Sequence, residues 1–126
     1  MSVQIVRTSF VLAVPDVERS CLFWCDVLGF ELQPSPTGWR FVTRDGCRVM
    51  LGECPDAMPP AELGDHSYFG YVQMAGLDAF FAEISRKHAA ILSPPADKPW
   101  GMREMAVRTS DGHRVMFAEA CSDDSS

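Results

Sequence analysis

Residues 47–53 alternate. Val49, Leu51 and Glu53 fall on one side of the chain, Arg48, Met50 and Gly52 on the other. A period of two is the mark of a β-strand with two distinct faces. Asp45-Gly46 stands in front of it, and both residues tolerate the positive φ of a tight turn, so the strand leaves a hairpin. The chain writes nearly the same line again at 111–119, Asp-Gly-His-Arg-Val-Met-Phe-Ala-Glu. Six of nine positions are identical at an offset of 66 residues (45 to 111). A strand repeated at about half the chain length predicts two copies of one supersecondary unit.

The flanking patterns repeat in the same order. Residues 3–14 are largely apolar and predict a strand, which Pro15-Asp16 breaks, with Asp16 as a helix N-cap. Val17, Cys21, Trp24 and Leu28 then recur at helical spacing, with Phe23 and Val27 beside them and Gly29 as the C-cap. Phe30–Leu32 predicts a short strand, Pro34–Gly38 a turn, and Trp39–Arg44 the partner of the 47–53 strand. Residues 54–66 hold three prolines without a period and read as a linker. In the second half Ser67–Met74 predicts a strand, and Gly76-Leu77-Asp78 opens a helix with Leu77, Phe81, Ile84 and His88 on one face. A short strand at Ala90–Ser93, a loop at Pro94–Pro99, a strand at Gly101–Arg108 and the final strand at 113–119 complete it. The expected architecture is α+β, two tandem βαβββ modules forming a curved sheet cleft. Module one spans 3–53, the linker 54–66, module two 67–120, within a single domain 1–120 followed by a flexible tail 121–126.

Charge and cysteines narrow the partners. The net charge of −6 disfavours nucleic acid and favours a cationic ligand. No apolar run approaches the roughly 18 residues of a membrane span, and the first residues lack the shape of a signal peptide. Five cysteines without a CxxC pair are expected to be reduced thiols in a cytoplasmic protein. Cys21 and Cys25, one helical turn apart, read as core or near-core thiols. No Ser-His-Asp order, glycine-rich phosphate loop or CxxC metal pattern is present.

An ordered set of fragments then becomes specific: Val14-Pro15-Asp16-Val17-Glu18-Arg19-Ser20, Phe23-Trp24-Cys25-Asp26-Val27-Leu28-Gly29-Phe30, Gly76-Leu77-Asp78, Pro99-Trp100-Gly101-Met102-Arg103-Glu104 and the last Asp-Gly hairpin. Together they resemble the glyoxalase/bleomycin resistance/dioxygenase superfamily, also called vicinal oxygen chelate proteins, from residue 5 to 120. The resemblance implies paired βαβββ modules, and a homodimer in many members. Its enzymes hold one divalent metal with His and Glu from cleft-facing strands. The equivalent slots in this chain are Ser9, Met50, Phe69 and Met116. A hard divalent ion wants carboxylate or imidazole, which thioether and phenyl groups cannot replace. No metal and no cofactor is therefore expected. Met50 and Met116 sit at matching repeat positions, so one misalignment does not account for both.

The closer resemblance is to the bleomycin resistance proteins, which bind the drug without chemistry and stack its flat bithiazole between aromatic side chains. The matching positions are Trp39 and Trp100. The expectation is a metal-free binding protein, not an enzyme, that sequesters a flat, cationic bleomycin-like antibiotic. Trp39, Trp100, Phe69, Met50 and Met116 would line the site. The rival readings are a metal-dependent lyase, isomerase or dioxygenase of the same superfamily with altered ligands, and a binder of another hydrophobic metabolite. Arg48 and Arg114 are candidate polar wall residues, or else solvated or paired with Glu104. Arg103 and Glu104 read as a structural ion pair. A rearranged metal site would need His66 with Glu53, Glu104 or Glu119, since His88 and His113 form no cluster with it.

Overall fold

The computed structural model describes residues 2–63 and 67–121. They form two compact units that divide between Ala57 and Met58.

In the first unit, β1 (Phe10–Val14), β2 (Glu31–Gln33), β3 (Trp39–Arg44) and β4 (Cys47–Glu53) make a sheet of order β1-β4-β3-β2. β3 and β4 form the expected hairpin. Asp45 (φ 48) and Gly46 (φ 88) both take positive φ, the requirement of a type I′ turn. Between β1 and β2 run α1 (Val17–Leu22) and a wider π turn (Phe23–Val27). Asp16 caps α1 as the sequence implies, its carboxylate accepting from the N–H groups of Glu18 and Arg19, each at 3.1 Å. At the other end Gly29 turns with φ 76, and Arg44 donates to the Leu28 carbonyl at 2.7 Å. The helix covers Leu12, Val14, Val42, Val49 and Leu51, all buried, with Trp24 and Phe30 packed edge to face at 4.9 Å.

The second unit repeats the plan with β5 (Tyr68–Gln73), α2 (Leu77–Arg86), β6 (Ala90–Asp97), β7 (Met102–Arg108) and β8 (Arg114–Ala120), in sheet order β5-β8-β7-β6. Val107, Val115 and Phe117 lie in its core with Leu77, Phe80 and Ile84 of the helix. Phe80 and Phe117 rings meet at 4.9 Å. This is the α+β architecture of two βαβββ modules. Among the described residues, no helix is long and apolar enough to cross a membrane.

Four expectations are corrected. The first strand starts at Phe10, not at residue 3. Pairing with β4 runs from Phe10 opposite Val49 to Val14 opposite Glu53, and since β4 begins at Cys47, residues 3–7 fall beyond its start in that register. The second helix buries Phe80 where Phe81 was expected, and it ends at Arg86, leaving His88 exposed at φ 63. The Pro94-Pro95 pair belongs to a strand, not a loop. β6 is an edge strand, where a missing N–H costs no ladder bond, and its register shifts between Ser93 and Ala96. The second hairpin is looser than its Asp-Gly suggests. It closes through Thr109, whose N–H donates to the His113 carbonyl at 2.8 Å, so β8 begins at Arg114. Gly64, Asp65 and His66 of the linker, and 122–126 of the tail, lie outside the described residues.

Candidate functional site

Strand alternation gives each sheet a face away from its helix. In the first unit the cross-strand pairs Trp39–Gly52, Phe41–Met50 and Thr43–Arg48 share that face. Val11, 61% exposed, adds to it from β1, opposite Met50. Trp39 is half-buried because its ring lies on Gly52. A Cβ at Gly52 would stand 3.0 Å from two ring carbons. Trp39 and Phe41 meet edge to face at 6.1 Å, and the Arg48 guanidinium sits 4.7 Å from the Phe41 ring centre. Beside them a concavity of about 470 Å³ is lined by Arg7, Gln33, Phe41, Thr43, Arg48 and the turn at Gly46. Arg40 points to the helix side, where it pairs with Glu18.

In the second unit the corresponding face carries Tyr71 opposite Met116, Met116 opposite Ala106, and Ala118 opposite Glu104. Glu104 is 7% exposed, and one of its oxygens accepts from the Tyr71 hydroxyl at 2.6 Å and from the Trp100 indole N–H at 2.8 Å. These short bonds to a carboxylate fix the Trp100 ring while leaving it 64% exposed. Burial, and then the Glu104 carboxylate, push the Tyr71 phenol up to about 12, so it remains a donor. Phe69 lies beside His113, rings edge on at 6.1 Å.

The expected Arg103–Glu104 ion pair does not form. Neighbours on a strand point to opposite faces. Arg103 instead holds Asp78 at 3.1 Å and Asp97 at 3.0 Å. Glu53 and Glu119, considered as metal ligands, face the helix ends instead. Glu119 accepts from the N–H groups of Gly76 and Leu77 at 2.9 and 3.0 Å, which holds its carboxyl below the ordinary value. Glu53 accepts from Val17 at 3.5 Å. Cys21 and Cys25 have their sulfurs 3.9 Å apart, and burial, then Cys21 beside it, raises the Cys25 thiol to about 11.

A metal is what the enzymes of this fold use, and the side chains at the four slots do not fit one. Met50 and Met116 offer thioethers between carbon neighbours, Phe41 and Val11 in one sheet, Ala106 and Tyr71 in the other. Ser9 and Phe69 add one hydroxyl and no carboxylate or imidazole. Among the described residues, no three His, Cys, Asp or Glu side chains gather in a way that could hold an ion.

Two βαβββ modules with such faces define the class of protein. The chain belongs to the Glyoxalase/Bleomycin resistance protein/Dioxygenase superfamily, whose family model matches residues 5–117. A bleomycin resistance protein of Geobacillus stearothermophilus is 27% identical over 121 residues, covering 84% of this chain and 90% of that one. The crystal structure of TioX from Micromonospora sp. ML1 is 26% identical, with a TM-score of 0.70 over 90% of this chain and 98% of that one. The bleomycin-binding protein of bleomycin-producing Streptomyces verticillus, solved with copper(II)-bleomycin, shares the fold. It aligns at 24% identity and a TM-score of 0.73, over 97% of this chain and 100% of that one.

The sequence reading missed Phe41, the Tyr71–Glu104–Trp100 cluster and the concavity. Phe41 was findable, since alternation from Trp39 puts it on the face of Met50. The cluster joins three elements that no local pattern connects.

Proposed function

We propose that this chain is a non-catalytic binding protein that sequesters a flat, cationic, bleomycin-like antibiotic. The observation that carries the reading is Trp100, a large ring 64% exposed yet fixed through its N–H to a buried carboxylate. An aromatic side chain held open in one orientation is a stacking face whose ordering cost has already been met. Trp39, seated on Gly52, is the second stacking residue, and Phe69, Met50 and Met116 add apolar contact. Stacking of a flat heteroaromatic ring is worth about 1–3 kcal/mol per ring, by analogy with bases. Two such contacts supply a good part of the roughly 8 kcal/mol of a micromolar complex. The net charge of −6 draws a cationic drug at long range. The kinship with bleomycin resistance proteins supports the same ligand class.

The reading includes a homodimer that takes one drug per chain. Val3, Ile5 and Val6 are 97%, 83% and 87% exposed, apolar surface that a second copy would cover. It also includes an unchanged ligand. Bleomycin incubated with the protein and released by denaturation should return with its original mass, while Trp100→Ala should weaken binding about tenfold or more and lower stability by only about 1 kcal/mol, the loss of one donor on Glu104. A modified drug, or equal affinity in the variant, contradicts the reading.

A further inference from the structure

The concavity of the first sheet has a charge that the drug-binding reading does not use. Arg48 reaches it from β4 and Arg7 from the segment before β1. Three other arginines are held by partners: Arg40 pairs with Glu18, Arg44 donates to Leu28, and Arg103 holds two aspartates. Arg7 and Arg48 have no acidic partner among the described residues. No carboxylate lines the concavity, and Glu31, opposite Thr43 on β2, is exposed outside it. Two uncompensated guanidinium groups at one hollow are unexpected in a chain of net charge −6.

The rest of the lining sets the shape of an occupant. Phe41 contributes an aromatic ring against which the Arg48 guanidinium already lies at 4.7 Å. Gln33 and Thr43 contribute amide and hydroxyl groups, and the volume of about 470 Å³ suits a small organic molecule. A guanidinium grips a carboxylate or sulfonate by two parallel hydrogen bonds, geometry a lysine cannot reproduce. We propose that this concavity binds a planar aromatic anion, its ring on Phe41 and its carboxylate between Arg48 and Arg7. The site is distinct in chemistry from the stacking of a cationic drug, because the same arginines repel a cation.

The test is calorimetric titration of the intact protein with 2-naphthoate, 2-naphthalenesulfonate, the neutral 2-naphthamide and inorganic sulfate, with bleomycin titrated in parallel. The expected result is saturable binding of both aromatic anions, and binding of the amide and of sulfate about tenfold weaker or worse. Arg48→Gln should lose naphthoate affinity about tenfold, Arg48→Lys should recover part of it, and circular dichroism should show both folded. Equal binding of the amide, equal binding of bare sulfate, or undiminished naphthoate binding by Arg48→Gln overturns the proposal. So does failure of naphthoate to bind a protein that binds bleomycin, an outcome that leaves the drug-binding reading standing.

Discussion

β4 and β8 share the run Arg-Val-Met and bury the same two positions under a helix, Val49 and Leu51 in one, Val115 and Phe117 in the other. Both carry at or next to their last residue a glutamate that accepts hydrogen bonds from the backbone at the start of that helix. On the opposite face the likeness stops. Gly52 supports Trp39 where Ala118 faces Glu104, and Phe41 opposes Met50 where Ala106 opposes Met116. The first sheet presents rings beside unpaired arginines, the second a buried carboxylate gripped by Tyr71 and Trp100. Packing under a helix tolerates little change of volume, so the helix-side half of each module keeps its pattern. The other face has no such constraint and has diverged.

The helix sides are compared first, because the effects are largest there. Counting from the first residue of each helix, Trp24 corresponds to Ile84 and Ser20 to Phe80. At these positions the first module places the Trp24 ring, packed on Phe30, where the second shares the volume between Phe80 and Ile84. Trp24→Ala should cost about 3–5 kcal/mol in denaturant unfolding, and Ile84→Ala about 2–5 kcal/mol. If Trp24→Ala costs less than Ile84→Ala, the picture of one ring filling that volume is wrong.

Gly52→Ala writes the second module's residue into the first. The added methyl meets the Trp39 ring at 3.0 Å. Overpacking of this kind should cost about 1–3 kcal/mol and move Trp39, seen as a shifted emission maximum. An unchanged spectrum and stability would mean that Trp39 does not depend on Gly52. Tyr71→Phe removes one of the two donors on Glu104 at a partly exposed site, for a loss of about 1 kcal/mol. In the intact protein the phenol should ionise only near pH 12, read by its absorbance in alkaline titration. Ionisation at the ordinary value of 10.0 would show that the hydroxyl is not bound to Glu104.

The smallest effect is at Glu119, whose folded carboxyl lies below its ordinary value of 4.5. A depressed carboxyl adds stability that is complete above the unfolded value and lost as pH falls through the folded one. Glu119→Gln should therefore flatten the loss of stability below about pH 4.5 and leave neutral pH dependence unchanged. Superimposable acid limbs would remove the helix-capping role.

Much of the fold was legible because the signals were local. β3 and β4 have the bounds that alternation and Asp45-Gly46 imply, and Asp16 caps its helix as its position suggests. Misreadings arose where a tertiary partner decides. Val3, Ile5 and Val6 look like strand residues, yet β4 has no residues left to pair with them. Phe80 and Phe81 fit a helical stripe equally well, and Phe117 beneath the helix selects Phe80. For the candidate site, Trp100 and Met116 rest on resemblance alone. The Tyr71–Glu104–Trp100 hydrogen bonds could not be read from the sequence, because β5, β7 and the loop before β7 come together only in the folded sheet.

The central claim is that these faces bind a flat drug without metal or chemistry. Its most direct test is calorimetric titration of the protein with metal-free and copper-loaded bleomycin. The account predicts saturable binding of both forms at micromolar or tighter affinity, one drug per chain. Absence of heat and of saturation at high drug concentration would contradict it and leave the family assignment without this ligand.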